Sequence, residues 1–226
     1  MVSTSEPAKP KKQKILPTLE FEERVWSQGF HFVGGIDEAG RGCWAGPVSA
    51  AVVILPHQKM TILKDLDGVR DSKLLSSSRR FELEKTIKFH VSDWAVGFSN
   101  ALEIDTYGIV PATHLAMQRA ISSLNQRPDY LLIDALSLPG EKIPQKAIIK
   151  GDMLSLSIAA ASILAKTARD RWMQSYEELL PGFGFACHKG YGTRQHSNAI
   201  SEKHITFIHR VSYAPIARLI DHKNPT

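Results

Sequence analysis

HFVGGIDEAGRGCWAGPVSAAVVIL, His31 to Leu55, reads as two apolar strands around a glycine-rich turn. His31 to Asp37 forms the first strand and Gly46 to Leu55 the second. The interval 39–45 is too short for a crossover, so the second strand should return antiparallel beside the first. Upstream, Thr18 to Gln28 reads as a short helix with Leu19, Val25 and Trp26 as apolar contacts and Gly29 as its stop. Downstream come a helix at Ser76 to Phe89 and a third strand at Ser92 to Asn100. Ala112 to Leu124 has helical spacing at Leu115, Ala116, Ala120 and Leu124. YLLID, Tyr130 to Asp134, is a nearly continuous apolar run, the pattern of a strand buried on both faces. A shorter strand at Lys146 to Lys150 leads to a long helix, Ser157 to Leu180, whose SIAAASILAK opening offers small residues for close packing. Residues 193–220 read as mostly helical, with breaks near Pro215. Strands early, helices late and one crossover between them predict an α/β fold in which helices cover a mixed sheet.

Residues 1–17 combine Lys9, Lys11, Lys12 and Lys14 with Pro7, Pro10 and Pro17, and read as a disordered basic tail. The remainder, 18–226, has the length of a single domain with a real core. Hydrophobic residues at 43% and charged residues at 23% match a soluble globular protein. A net charge of +5 suits a polyanionic partner without identifying it. Two cysteines, Cys43 and Cys187, make neither a disulfide framework nor a zinc site and fit a reducing cytosol. No apolar run is long enough to span a membrane, and Met1 to Lys14 has no signal core, so a cytoplasmic protein is expected. The nine histidines match no zinc spacing and read as surface or core residues. Neither a GxxxxGK[ST] loop nor a GxSxG elbow is present, which excludes a P-loop ATPase and leaves a serine hydrolase without support.

Four carboxylates stand at informative places. Asp37 and Glu38 lie where the first strand runs into AGRG, Asp134 ends YLLID, and Asp152 follows Lys150-Gly151 just before the long helix. Each alone has a plain structural reading: a turn residue, a solvated acid, a strand-end cap, a charge at a helix N-terminus. Together they suggest one shared cation, because acids at the ends of buried strands are costly unless something pairs with them. Adjacent strand side chains point to opposite faces, so Asp37 and Glu38 can share a site only if Glu38 already lies in the turn. An all-oxygen cluster selects Mg²⁺ or Mn²⁺, and two such ions roughly 3.5–4 Å apart can activate water and stabilise the leaving oxygen of a phosphodiester. After the acids, Gly40-Arg41-Gly42 allows close backbone approach and offers a forked donor to phosphate, or is a tight turn with a surface arginine. Tyr191, between Gly190 and Gly192, could stack on a sugar or base, or simply be an exposed loop residue. Asp71-Ser72-Lys73 looks like a helix cap or a phosphate-contacting turn.

The run GGIDEAGRGCWAGPVSAAVVIL resembles the opening signature of ribonuclease HII, the type 2 ribonucleases H. DSKLL, DTYGIVPATHLAMQRAI, YLLIDA, KGDMLSLSIAAASILAKTARDR and HKGYGT resemble its later blocks in the family's order, over residues 31 to 196. The resemblance implies a ribonuclease H-like fold, a mixed five-stranded sheet flanked by helices with a C-terminal helical part. It implies an endonuclease that hydrolyses the RNA strand of RNA–DNA hybrids and incises 5′ of single ribonucleotides embedded in duplex DNA. Such an enzyme serves ribonucleotide excision repair and leaves 3′-hydroxyl and 5′-phosphate ends. By the same resemblance Asp37, Glu38, Asp134 and Asp152 bind two ions, Mg²⁺ or Mn²⁺. Gly40, Arg41 and Gly42 read the ribose, Tyr191 packs at the junction with the following deoxyribose, and Lys73 contacts phosphate. The partners implied are RNA–DNA hybrid and ribonucleotide-containing duplex DNA, with no membrane, and the protein is expected to be a monomer. Gly108 and Trp44 depart from the commonest pattern and bear on substrate fit rather than on the acids. Arg41 and the short leader argue against the related type 3 enzymes, and Ile220 to Thr226 shows no clear clamp-binding peptide. Two other classes fit less well: a non-catalytic binding module should have lost an acid, and a junction resolvase or integrase need not sense a 2′-hydroxyl.

Overall fold

The hairpin at the start of the chain sets the sheet. In the computed structural model, which describes residues 16–57, 59 and 61–221, β1 (Val33–Ala39) pairs antiparallel with β2 (Val48–Ile54), in a register that sets Ile36 opposite Val52 and Glu38 opposite Ala50. β2 pairs antiparallel with β3 (Asp93–Ser99). On the other side β1 runs parallel to β4 (Tyr130–Asp134), and β4 parallel to β5 (Gln145–Ile148). The described sheet has five strands in the order β3-β2-β1-β4-β5, which is the mixed α/β architecture expected from sequence. Helix α1 (Glu20–Trp26) precedes it. Between β2 and β3 lie α2 (Ile62–Asp65), a 3-10 turn at Ser72–Leu74 and α3 (Ser77–His90). The crossover from β3 to β4 carries α4 (Ala101–Tyr107) and α5 (Ile109–Ser122). After β5 come α6 (Gly151–Leu154), α7 (Leu156–Leu179), α8 (Phe185–His188), α9 (Arg194–Lys203) and α10 (Ala214–Asp221).

Alternation along β2 splits the core into two layers. Ala51 and Val53 meet Ala159, Ala160, Ile163 and Leu164 of α7, while Ala50 and Val52 meet Ala112, Ala116, Met117 and Ala120 of α5. A strand covered on both faces has no solvent side, and this is why β2 is apolar but for Ser49, whose hydroxyl donates to the Ala165 carbonyl. YLLID follows the same rule: Leu131 and Ile133 join the α5 layer, and Leu132 packs with Ile158. A third cluster, with Met173, Phe183, Phe185, Ala199, Ile200, Ile208 and Ile216, forms a C-terminal layer that takes in Ala45 of the turn between β1 and β2.

Two local expectations differ from the structure. β1 continues through Glu38 and Ala39 instead of ending at Asp37, because both residues stay paired with β2. α4 was not expected, although Asn100 and Glu103 make a reciprocal capping box at its start. The break expected near Pro215 falls just before it, at 204–213, and Pro215 itself lies inside α10, where as the second residue it gives up an amide that a first turn leaves unpaired anyway. Of the basic tail only Leu16 and Pro17 fall within the described residues, and Pro17 is buried; Thr18 bridges to Ser155. No described helix is long and apolar enough to cross a membrane.

Helix α7 approaches β1 so closely that a Cβ on Gly35 would overlap the backbone and side chain of Ser157. Gly35→Ala should therefore lower stability by about 3 kcal/mol, since neither a strand nor a helix backbone can yield cheaply. In a chain of this length that is a loss of roughly 6–12 °C in melting temperature by circular dichroism. An unchanged melting temperature would show that the helix can move aside.

Candidate active site

The ends of β1 and β4 and the start of α6 bring three acids together. One carboxylate oxygen each from Asp37, Asp134 and Asp152 lies within 4.8 Å of the others. Two loop crossings fix this geometry. Ala135 and Lys150, which adjoin β4 and α6, both take left-handed backbone conformations, costly for residues with a side chain. The Gly151 amide donates to Asp134 Oδ1 at 2.6 Å, so the loop bearing Asp152 is hung on the neighbouring acid. Asp37 Oδ1 accepts from the Glu38 amide at 2.7 Å.

Glu38 reaches the same place although it is still in the strand. It lines the cavity beside Asp37, Arg41 Nη1 donates to its Oε1 at 3.3 Å, and its Oε2 is buried with no partner among the described residues. The opposite-face objection does not apply at this strand end: successive residues border one cavity. It measures about 300 Å³ and is lined by Asp37, Glu38, Gly40, Arg41, Gly42, Lys73 and Tyr191, together with Ser72 and Lys166. Asp134 and Asp152 join it through the carboxylate cluster, and Lys73 Nζ stands 3.9 Å from Asp152 Oδ2. All nine site residues inferred from sequence thus come together.

Electrostatically the acids are under tension. Burial, then Glu38 and Asp134, push the Asp37 carboxyl well above the usual carboxylate range. Burial raises Glu38 too, against the pull of Arg41, and burial with Asp134 raises Asp152 against the pull of Lys73. Dehydrated like charges favour whatever cation can replace the lost water. An all-oxygen donor set with one buried, unpartnered oxygen suits a hard divalent ion.

The glycines of the turn have different tasks. A Cβ on Gly40, which has φ +95°, would overlap the Arg169 guanidinium, whereas one on Gly42 would meet nothing within 4 Å. Gly42 is thus the member that leaves open space beside the cavity. Tyr191 is 43% exposed, so its ring is available to a ligand. Its carbonyl accepts from His196 Nδ1 at 3.0 Å. His196 Nε2 in turn faces His209 Nε2 at 3.1 Å, and His209 Nδ1 accepts from the Thr206 amide at 2.9 Å. Burial, the main cause, lowers both His196 and His209 to about 4 and so keeps the chain of bonds neutral near pH 7. These histidines are core residues, in keeping with the absence of a zinc spacing.

The residues missed from sequence line the cavity or sit behind it. Lys166 donates to Asp170 at 2.6 Å and lies 5.9 Å from the Tyr191 ring centre. Asp170 also binds Arg80, which holds the carbonyls of Ser72 and Leu75 on either side of Lys73. Only the third- and fourth-residue spacing of Lys166, Arg169, Asp170 and Met173 along α7 hinted that they share a face.

The family model described as Ribonuclease HII matches residues 34–216, which include every one of these site residues. The chain belongs to the ribonuclease HII family. Ribonuclease HII of Desulfitobacterium hafniense (strain DSM 10664 / DCB-2) is 49% identical over 209 residues, 92% of this chain and 78% of its own length. That of Roseiflexus castenholzii (strain DSM 13941 / HLO8) is 48% identical over 200 residues, 88% and 89% of the two chains. Among solved structures, ribonuclease H2 from Pyrococcus horikoshii OT3 superposes with a TM-score of 0.72 at 24% identity, over 84% of this chain and 97% of its own. A ribonuclease HIII solved in complex with Mn²⁺ superposes with a TM-score of 0.66 at 18% identity, over 84% and 70%. These two establish the ribonuclease H-like fold. As a ribonuclease HII, the chain is an endoribonuclease that acts on the RNA strand of RNA–DNA hybrids.

Asp134→Asn tests the acid cluster. Without divalent ions the variant should melt a few degrees higher than the parent, because one of several crowded negative charges is gone while Oδ1 still accepts from Gly151. With Mg²⁺ its hybrid cleavage should fall by roughly a thousandfold or more, the order of effect seen when a charge-stabilising group is removed. Cleavage at the parent rate would remove Asp134 from the site.

Proposed function

We propose that this ribonuclease HII, besides hydrolysing hybrids, incises duplex DNA 5′ of a single embedded ribonucleotide, with two Mg²⁺ or Mn²⁺ ions held by Asp37, Glu38, Asp134 and Asp152. The observation that carries this reading is one cavity bordered by an acid pair, an open glycine and an exposed tyrosine. The ions would supply activation of water and stabilisation of the departing oxygen. The protein's share is positioning. Glu38 and Arg41 are already paired, so the guanidinium is held over the cavity before substrate arrives. Lys73, highly exposed and pushed up by Asp71, Asp152, Asp37 and Asp134 against the effect of burial, remains a cation available to phosphate. Gly42 leaves room for backbone groups to approach a 2′-hydroxyl, the group that tells RNA from DNA locally. The Tyr191 ring would stack on the sugar that follows.

A site that checks one 2′-hydroxyl needs only one ribonucleotide, whereas a site that reads hybrid shape needs several. Here the 2′-hydroxyl is recognised and is not the nucleophile. End analysis of a labelled duplex with one ribonucleotide should therefore give 3′-hydroxyl and 5′-phosphate ends at the 5′ side of that residue. A 2′,3′-cyclic phosphate, or equal cutting of all-DNA duplex, would overturn the reading.

The recognition groups make a separate prediction. Arg41→Ala and Tyr191→Ala should each lower kcat/KM on that duplex by roughly ten- to a hundredfold, with melting temperature nearly unchanged because both side chains are partly exposed. Parent kinetics in both variants would remove these two residues from substrate recognition.

A further inference from the structure

Arg169 and Arg210 are both fully buried, and neither forms an ion pair among the described residues. Burying a cation without a counter-charge is expensive, so its hydrogen bonds must be complete. They are spent on backbone carbonyls. Arg169 donates from Nε to Pro47 O at 2.8 Å, from Nη2 to Ala45 O at 3.0 Å and from Nη1 to Lys189 O at 2.8 Å. Arg210 donates from Nε and Nη2 to Gly46 O at 3.0 and 2.8 Å, and from Nη1 to Arg41 O at 2.9 Å. The Tyr213 hydroxyl accepts from Arg210 Nη1 at 3.0 Å and donates to Arg41 O at 2.5 Å.

The carbonyl acceptors fall in two segments only. Arg41, Ala45, Gly46 and Pro47 belong to the turn between β1 and β2. Lys189 belongs to the loop that carries Tyr191, and the Trp44 and Ala45 amides donate to Gly190 O in the same seam. The turn's glycines serve the arrangement. A Cβ on Gly40 would overlap Arg169, and one on Gly46 would overlap Met173. One guanidinium, on α7, spans both segments, and the other, between α9 and α10, grips the turn from its far side. A planar fork with five donors can hold several carbonyls at fixed angles; an ammonium on a flexible stem cannot.

We infer that Arg169 and Arg210 are positioning residues for substrate recognition: together they lock the Gly40-Arg41-Gly42 turn and the Tyr191 loop into one register, so that the two act on a ribonucleotide and its neighbour as a unit. This rests on the proposed reading of that turn and of Tyr191. Neither arginine lines the cavity, so the effect passes through the backbone they hold. Their loss should weaken substrate binding far more than the chemical step, which belongs to acids on other elements.

The test compares Arg169→Lys, Arg210→Lys and Tyr213→Phe with the parent, on a single-ribonucleotide duplex and on a long hybrid, at a temperature where circular dichroism shows each protein folded. The lysine variants should raise KM for the duplex by roughly tenfold or more while kcat at saturation stays within about threefold. Tyr213→Phe, which removes one hydroxyl from the same clamp, should raise KM by roughly threefold with little change in melting temperature. If the lysine variants do not fold, Tyr213→Phe decides alone. Parent KM in every folded variant overturns the inference, as does a fall in kcat with KM unchanged. A parent enzyme that cuts the hybrid but not the single-ribonucleotide duplex would overturn the proposed function instead, and the same KM comparison on the hybrid would then decide for or against the clamp.

Discussion

Helix α7 can cross β1 only because Gly35 has no side chain, and most of the site hangs on that crossing. The helix is anchored at its start, where Ser155 caps it and the buried Glu22 carboxylate accepts from the Ser157 amide and from the hydroxyls of Ser155 and Ser157. Burial, the dominant influence, raises the pKa of Glu22 against these bonds, so the anchor combines a helix N-terminal acid with a costly desolvation. Asp152 sits just upstream of that anchor. Lys166, Arg169, Asp170 and Met173 follow on one face of the same rod: Arg169 reaches the turn, Met173 the C-terminal layer, and Asp170 pairs with Lys166 and with Arg80 of α3. One close contact between a glycine and a serine therefore places residues that come from both ends of a long helix.

The acids work against this order. Three of them are raised by burial and by one another, and the backbone at Ala135 and Lys150 is held in a conformation that side chains disfavour. Such a cluster persists only where the surrounding structure over-determines it. Here the supports are the two apolar layers on either face of β2 and the amide of Gly151 on Asp134. The strain is local, and it lies where a divalent cation would relieve it.

Sequence made the sheet legible because strands buried on both faces leave an unmistakable apolar run, as in YLLID and VSAAVVI. The acids were legible for the opposite reason, as charges at the ends of those runs. What stayed hidden depended on long-range partners. Glu38 was expected to need a turn, yet at the last paired residues of β1 it borders the cavity from within the strand. α4 is short, and only its capping box announced it. Arg169 and Arg210 drew no reading from the sequence, because nothing local shows that most of their acceptors lie more than a hundred residues away.

Trp44 shows how the two halves of the proposed recognition surface are matched. Its ring fills the space beside Gly192, where any Cβ would overlap it. The same ring lies 5.7 Å from that of His196, whose Nδ1 holds the Tyr191 carbonyl. Its carbonyl accepts from the Arg210 amide at 2.8 Å, and its amide donates to Gly190 O at 2.8 Å. A bulky residue in the turn is therefore accommodated by a glycine in the opposite loop, with bonds on both sides of it. The acids stand at the ends of the sheet strands, but the surface proposed to select the substrate is built from two loops that the C-terminal layer packs against. A change of size at Trp44 should act on Tyr191 more directly than on the acids, because its ring packs on Gly192 and His196, the neighbours that hold Tyr191.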